Sequence, residues 1–372
     1  MPLKKLCISG LCCVIAAALA ACGPAPVSSP SGAPSSQAVS PVESGGEGTG
    51  NAAVTPEVPS AVTIPTSYGG EGWEAQAIGW IDNTRLIAVF GPEETRNGPD
   101  VTEKAVVVYN MADKTERLAC AFSDGGWVGD IRANADEVLI TSSEQLYLLP
   151  QADLAQITAL PYKGDDWHGN TFGGLYTGRD AQGIVIRSGD GKAIRVATKT
   201  EAYFFDVPQW SPDGRYLLYN KYFGGVGHPV NKCVADRAGR PVCEFAFPQT
   251  DQNTYWSNDS RYIVAKVLDH PDGLLRLLDV EAGQEIAARP SPYVEQFRSI
   301  LDAHKSTTVW WRQAGNRQPC TVYTFDILTG QAVDIATLPR FCDAKFSPDG
   351  RTLAVLERKS AAGVYFFESG LE

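Results

Sequence analysis

One turn is written into this chain three times. Trp210-Ser211-Pro212-Asp213-Gly214-Arg215 opens onto Tyr216-Leu217-Leu218, Trp256-Ser257-Asn258-Asp259-Ser260-Arg261 onto Tyr262-Ile263-Val264, and Phe346-Ser347-Pro348-Asp349-Gly350-Arg351 onto Thr352-Leu353-Ala354-Val355. The starts lie 46 and 90 residues apart, the second being two periods of 45. A second marker, Asp279 to Gln284 and Asp326 to Gln331, repeats at 47 residues. In each unit an aromatic ends one strand. Pro presets the turn, Asp caps it through its side chain, and Gly accepts a left-handed φ. Arg then opens an apolar run of the kind expected when both faces of a strand are covered. A third strand follows, as at Gly363 to Phe367, and no helical periodicity of useful length intervenes. Units of roughly 40–50 residues with several short strands predict the blades of a single all-β propeller.

The aromatic-Ser-Pro-Asp-Gly-Arg turn followed by an apolar strand resembles the WD-like repeats of the TolB-type β-propeller family. Three units match well, those at Trp210, Trp256 and Phe346; weaker anchors start at Trp80 and Ile131, and two more are placed near Tyr176 and Ile300. The 266 residues from Trp80 to Phe346 divide into six steps, which gives seven blades, or six if one weak unit is an insertion. The last unit has room for only three strands. Propellers remove such an edge by borrowing a strand, and Ala61-Val62-Thr63-Ile64 is the β-prone run available to pair with 363–367. The family includes periplasmic translocation accessories, and similar blades cover the active sites of some peptidases. The resemblance therefore implies a fold and leaves the chemistry open.

The N-terminus assigns a compartment. Lys4-Lys5, an apolar run from Leu6 to Ala18 and Leu19-Ala20-Ala21-Cys22 have the order of an export signal. Leu-Ala-Ala-Cys resembles the lipobox of bacterial lipoproteins, which implies that Cys22 is diacylated and becomes the first mature residue. The run is too short for an uncleaved span, which needs about 18 or more apolar residues. Residues 23–67 hold no aromatic and only Glu43, Glu47 and Glu57 as charges. Such a segment buries too little apolar surface to order itself and reads as a tether of roughly 35–40 Å. The expected organisation is a signal over 1–21, lipidated Cys22 and tether over 22–67, and a propeller over 68–372. Loss of the signal leaves 30 basic against 43 acidic side chains, a charge of −13. That argues against nucleic acid and against electrostatic docking on anionic lipid, so attachment to the membrane falls to the acyl chains. No Asp directly follows Cys22, so no Gram-negative inner-membrane retention signal is read.

The search for chemistry is less productive. There is no Gly-x-Ser-x-Gly elbow and no glycine-rich phosphate loop between a strand and a helix. Four histidines occur, at 168, 228, 270 and 304, none with a second histidine at metal-ligand spacing. No metal and no cofactor is expected. Trp80, Trp210 and Trp256 hold the repeat position and read as packing residues. Trp127, Trp167 beside His168, and the pair Trp310-Trp311 are off the repeat and are the candidate binding residues, for stacking on a sugar or anchoring a protein. Export would permit disulfides among Cys120, Cys233, Cys243, Cys320 and Cys342. A three-residue loop centred on Ala238 sets Cys233 opposite Cys243 across a hairpin; Cys320 with Cys342 is the second expected pair. The function expected is a membrane-anchored binding or scaffold module with a protein or glycan partner in the envelope. The alternatives are a propeller glycosidase or lyase acting on a polymer, and a sensor passing occupancy to a membrane partner. An enzyme would gather carboxylates with shifted pKa values at one end of the central channel.

Overall fold

The structure, a computed structural model, describes residues 62–63, 73–92, 102–142, 145–160, 170–172, 174–188, 192–200, 204–205, 208–223, 229–247, 252–267, 273–291, 300–313, 319–339, 343–357 and 363–371. All belong to one compact unit, Thr55–Glu372. Cys22, the tether apart from Val62 and Thr63, Trp167, His168 and Cys342 lie outside the described residues.

Seven antiparallel sheets follow one another along the chain, and no helix occurs among the described residues. Blade 1 comprises Trp73–Trp80, Arg85–Pro92, Thr102–Asn110 and Thr115–Asp124; blade 2 comprises Val128–Ala133, Glu137–Ser142, Leu146–Pro150 and Thr158–Leu160. Blade 3 runs Asn170–Phe172, Leu175–Asp180, Gly183–Ser188 and Ala193–Thr198. Blade 4 has a broken inner strand, Phe204–Phe205 and Gln209–Trp210, then Tyr216–Tyr222, Val230–Asp236 and Pro241–Phe247. Blade 5 runs Gln252–Trp256, Tyr262–Val267, Leu274–Asp279 and Gln284–Pro290, and blade 6 Asp302–His304, Thr307–Gln313, Cys320–Asp326 and Ala332–Leu338. Blade 7 supplies Asp343–Phe346, Thr352–Glu357 and Gly363–Glu368 and takes its fourth strand from Val62–Thr63, with Val62 opposite Val364 and Thr63 opposite Gly363. The borrowed strand is the expected one, and the blade count is seven.

The repeated turn has one geometry in three blades. The Ser347 hydroxyl donates to Asp349 Oδ1 at 2.7 Å and accepts the Thr352 amide at 2.9 Å, while Asp349 Oδ1 also accepts the Arg351 amide at 3.1 Å. The corresponding bonds recur around Ser211 and Ser257. These serines are 0–1% exposed, so their hydroxyls are fully spent on the turn. Gly214 and Gly350 take φ of 69° and 77°; Ser260 holds the same place in blade 5 at 62°, a conformation that disfavours a side chain.

Because each strand presents apolar side chains on both faces, the core is a succession of clusters between blades. Ile78, Trp80 and Leu86 of blade 1 pack with Ala354, Leu356 and Val364 of blade 7. Leu218, Val230 and Phe247 of blade 4 pack with Trp256 and Ile263 of blade 5. Each buried aliphatic or aromatic side chain of this kind contributes about 1.5–3 kcal/mol. Trp80, Trp210 and Trp256 are 7%, 2% and 8% exposed, as packing residues should be.

The hairpin disulfide is corrected by the register. Asp236 accepts the Gly239 amide, its own amide donates to Arg240 at 2.9 Å, and Ala235 faces Pro241, all as the loop requires. A β-bulge then intervenes: Val234 pairs with Cys243 and Cys233 with Glu244, leaving Val242 extra. One extra residue reverses side-chain alternation, so the two cysteines point to opposite faces of the sheet. Cys233 joins the apolar cluster between blades 3 and 4, and Cys243 packs on the cluster between blades 4 and 5. Both are free thiols, pushed up by burial to about 12 and about 11. Cys120 is also a free, buried thiol, and Cys320 is buried.

Candidate functional site at the channel mouth

The inner strands converge on the propeller axis, and the face that carries the Ser-Asp turns opens into a cavity of about 620 Å³. Charged residues from three separate blades meet there. Blade 2 supplies Asp130 and Arg132 on its inner strand, blade 6 supplies Asp302, and blade 7 supplies Lys345. Arg132 Nε donates to Asp130 Oδ2 at 2.6 Å, and Lys345 Nζ lies 3.7 Å from Asp130 Oδ1. Lys345 Nζ also donates to the Leu301 carbonyl at 3.4 Å. Asp302 Oδ2 accepts the Phe346 amide at 2.7 Å.

Gly79 of blade 1 lets the inner strand of blade 2 come close, since a Cβ there would sit 2.8 Å from Ile131 Cβ and from the Ile131 carbonyl oxygen. Trp80 beside it donates its indole N–H to the Lys345 carbonyl at 2.9 Å. Trp256 makes the equivalent bond to Gln209 at 3.3 Å, one blade back.

The electrostatics follow from burial and neighbours. Burial pushes the Asp130 carboxyl up, but the charges of Arg132 and Lys345 outweigh it and hold it down at about 2. Burial pushes Asp302 up to about 6, and Lys345 with the Phe346 amide only partly counters it. Burial would lower the Lys345 ammonium, yet Asp343, Asp130 and Asp302 together raise it. Two carboxylates tuned in opposite directions thus share one ammonium, an arrangement suited to binding a polar group or to acid–base chemistry. Among the described residues, no group of three or more His, Cys, Asp and Glu side chains is placed to hold a metal ion.

No protein-family model matches the chain, and no curated protein matches it. Solved structures do. The β-propeller domain of Cps50 (Swd1) from Myceliophteria thermophila superposes with a TM-score of 0.53 at 10% identity, covering 82% of this chain and 97% of that one. The oligogalacturonate lyase of Vibrio parahaemolyticus gives 0.48 at 10% identity over 76% and 86% of the two chains. Hydrazine synthase of Kuenenia stuttgartiensis gives 0.49 at 12% identity over 87% and 99%. At this identity the likeness to the Cps50 domain shows the propeller and nothing finer.

None of the described candidate binding residues singled out from sequence lines this cavity. Trp310 is 1% exposed, stacks with Tyr323 at 6.4 Å and donates to Thr308 Oγ1 at 2.7 Å, inside the cluster between blades 5 and 6. It is a core residue, which corrects its reading as a binding platform: strand alternation turns it inward. Trp311, its neighbour on the other face, is half-buried, and so is Trp127 in the connection from blade 1 to blade 2; neither lines the cavity. Asp130, Arg132, Asp302 and Lys345 were missed. A signal did exist: each is a charged residue on a short inner strand, and Lys345 directly precedes the motif aromatic Phe346.

Proposed function

We propose that this chain is an exported lipoprotein of the TolB-like propeller type, tethered through diacylated Cys22 and residues 22–67 to the extracytoplasmic face of a membrane. The propeller acts there as a binding module for a component of the envelope, engaged at the channel mouth. The mouth is the observation that carries the reading. Its volume of about 620 Å³ falls in the range of ligand sites. It joins aromatic lining with charged groups drawn from three blades. The lipobox and the −13 charge of the mature chain supply the anchor and the compartment. Cys22→Ser is expected to abolish palmitate labelling and release the protein on detergent-free fractionation. A diazirine side chain at Asn83, beside the mouth, is expected to capture adducts on intact cells, whereas one at Val333 on the outer strand of blade 6 is not. Capture at Val333 alone would refute binding at the mouth.

A second reading, a glycosidase or lyase acting on an envelope or extracellular polymer, is favoured by one observation. Asp302 near 6 and Asp130 near 2 at one end of the channel resemble an acid and base pair. Polymer turnover abolished by Asp302→Asn would establish it.

A further inference from the structure

The carboxylates that line the mouth are already engaged. Asp82 Oδ1 accepts the Thr84 and Arg85 amides, each at 2.8 Å, and its Oδ2 pairs with Arg85 Nε at 2.6 Å. Asp213 is bound by Ser211 Oγ, the Arg215 amide and the Arg215 side chain. Asp130 is shared by two cations, and Asp302 takes a backbone amide. Arg132 is different. Only its Nε is engaged, by Asp130, and its side chain is 45% exposed. The four N–H groups of its two Nη atoms have no partner among the described residues, and they belong to a residue that lines the cavity. Asp130 is also paired with Lys345, so Arg132 is not its sole counter-ion.

A guanidinium fork with both Nη atoms vacant suits a planar oxyanion, held by two parallel hydrogen bonds. Further free capacity flanks it. Asn83 uses its Oδ1 to accept the Asp349 amide at 2.9 Å, its amide N–H₂ has no partner among the described residues, and Gln209 also lines the cavity. The wall also includes the aromatic residues Tyr255, Trp256 and Phe346. The overall charge of the chain selects between anions: a mature body of −13 repels polyanions, whereas a single carboxylate meets only the local field.

We propose that the channel mouth is a site for a small ligand carrying one carboxylate, which docks on the Nη1/Nη2 fork of Arg132 while its sugar or apolar body lies against the aromatic wall. This rests on the mouth being the binding site and names the chemical group recognised there. The groups facing the carboxylate are Asp130 of blade 2, Lys345 and Asp343 of blade 7, Asp302 of blade 6, and the rim pairs Asp82–Arg85 and Asp213–Arg215. Ionisation of Asp302 places a negative charge in the same cavity, so affinity is expected to fall as pH rises from 5 to 7.5.

The test uses purified protein of full mature length and follows the quenching of tryptophan fluorescence, since Trp80, Trp210 and Trp256 line the cavity. The probes are glucuronate and benzoate, their neutral counterparts glucose and benzyl alcohol, and benzylamine. Saturable binding of a carboxylate is expected, with its neutral counterpart at least about 10-fold weaker, the range of one charge-assisted hydrogen bond. Arg132→Gln should weaken the carboxylate at least about 10-fold and leave the neutral probe unchanged, and Arg132→Lys should restore part of the loss. Asp130 keeps Lys345 in these variants, and an unchanged melting temperature certifies the fold. Equal binding of glucose and glucuronate, tighter binding of benzylamine, an unaffected Arg132→Gln variant, or no binding of either carboxylate would each overturn the proposal. Capture at Asn83 on cells together with any of these results would leave the mouth as a binding site and discard only the carboxylate.

Discussion

At the rim, blade 7 is completed by two residues, Val62 and Thr63, which add a few backbone hydrogen bonds to Gly363–Glu368. At the axis, the same closure between blades 7 and 1 is made by side chains. Trp80 bonds to the Lys345 carbonyl, Asn83 to the Asp349 amide, and Lys345 itself spans from Leu301 of blade 6 to Asp130 of blade 2. The difference is one of leverage. A rim strand covers one edge of one blade, whereas the ammonium at the axis contacts two blades besides its own. It also lies where inner strands come close enough to require a glycine at position 79.

The comparison predicts an order of effects. Lys345→Met removes a cation that three aspartates share and leaves them facing one another. Breaking such a pair inside a protein costs about 3 kcal/mol or more. At roughly 2 °C per kcal/mol for a domain of this size, the melting temperature should fall by about 6 °C. A variant that melts within a degree of the parent would show that charge at the axis does not hold the ring.

A smaller effect is read from pH. The Asp302 carboxyl is raised to about 6 in the folded protein, above its ordinary value of 3.8, so the fold holds this proton more tightly than the unfolded chain does. Its stabilising contribution is complete below about pH 4 and is lost as pH rises through about 6, about 3 kcal/mol at most because Asp302 is only half-buried. Asp130 has the opposite sign: its contribution is present above the ordinary value and is lost only as pH falls through about 2. Asp302→Asn should therefore flatten the decline in stability between pH 4.5 and 7 relative to the parent. Parallel curves from urea melts at several pH values would remove Asp302 from the account.

Deletion of residues up to 68 tests the rim. Two paired residues contribute about 1–2 kcal/mol in net hydrogen bonding, so a drop of several degrees is the most to expect. If this truncation costs more than Lys345→Met, the rim is the principal closure and the ranking is reversed.

Much of the fold could be read from the chain because the Ser-Asp turn is local. Ser211, Asp213 and Gly214 form their bonds within six residues, so spacing alone locates blades 4, 5 and 7. Blades 3 and 6 carry no such turn; near Tyr176 and Ile300 only the period locates them, and blade 6 has His304-Lys305-Ser306 in its place. The site was not legible for the same reason in reverse. Asp130, Asp302 and Lys345 come from blades separated by up to 215 residues and meet only when the ring closes. The disulfide expectation failed on a still smaller scale, since a single extra residue at Val242 turned Cys243 to the opposite face from Cys233.

That extra residue is not peculiar to blade 4. Outer strands carry the same irregularity at Ala119, Val196, Ile286 and Ile335 in blades 1, 3, 5 and 6. In the remaining two blades the described outer strands are three and two residues long, Thr158–Leu160 and Val62–Thr63. A propeller turns seven sheet edges outward, each a template on which a neighbouring molecule could lengthen the sheet into a fibre. Here every edge is either kinked or too short to copy. Crowding such molecules together should therefore leave them as separate discs, with polymerisation prevented one strand at a time.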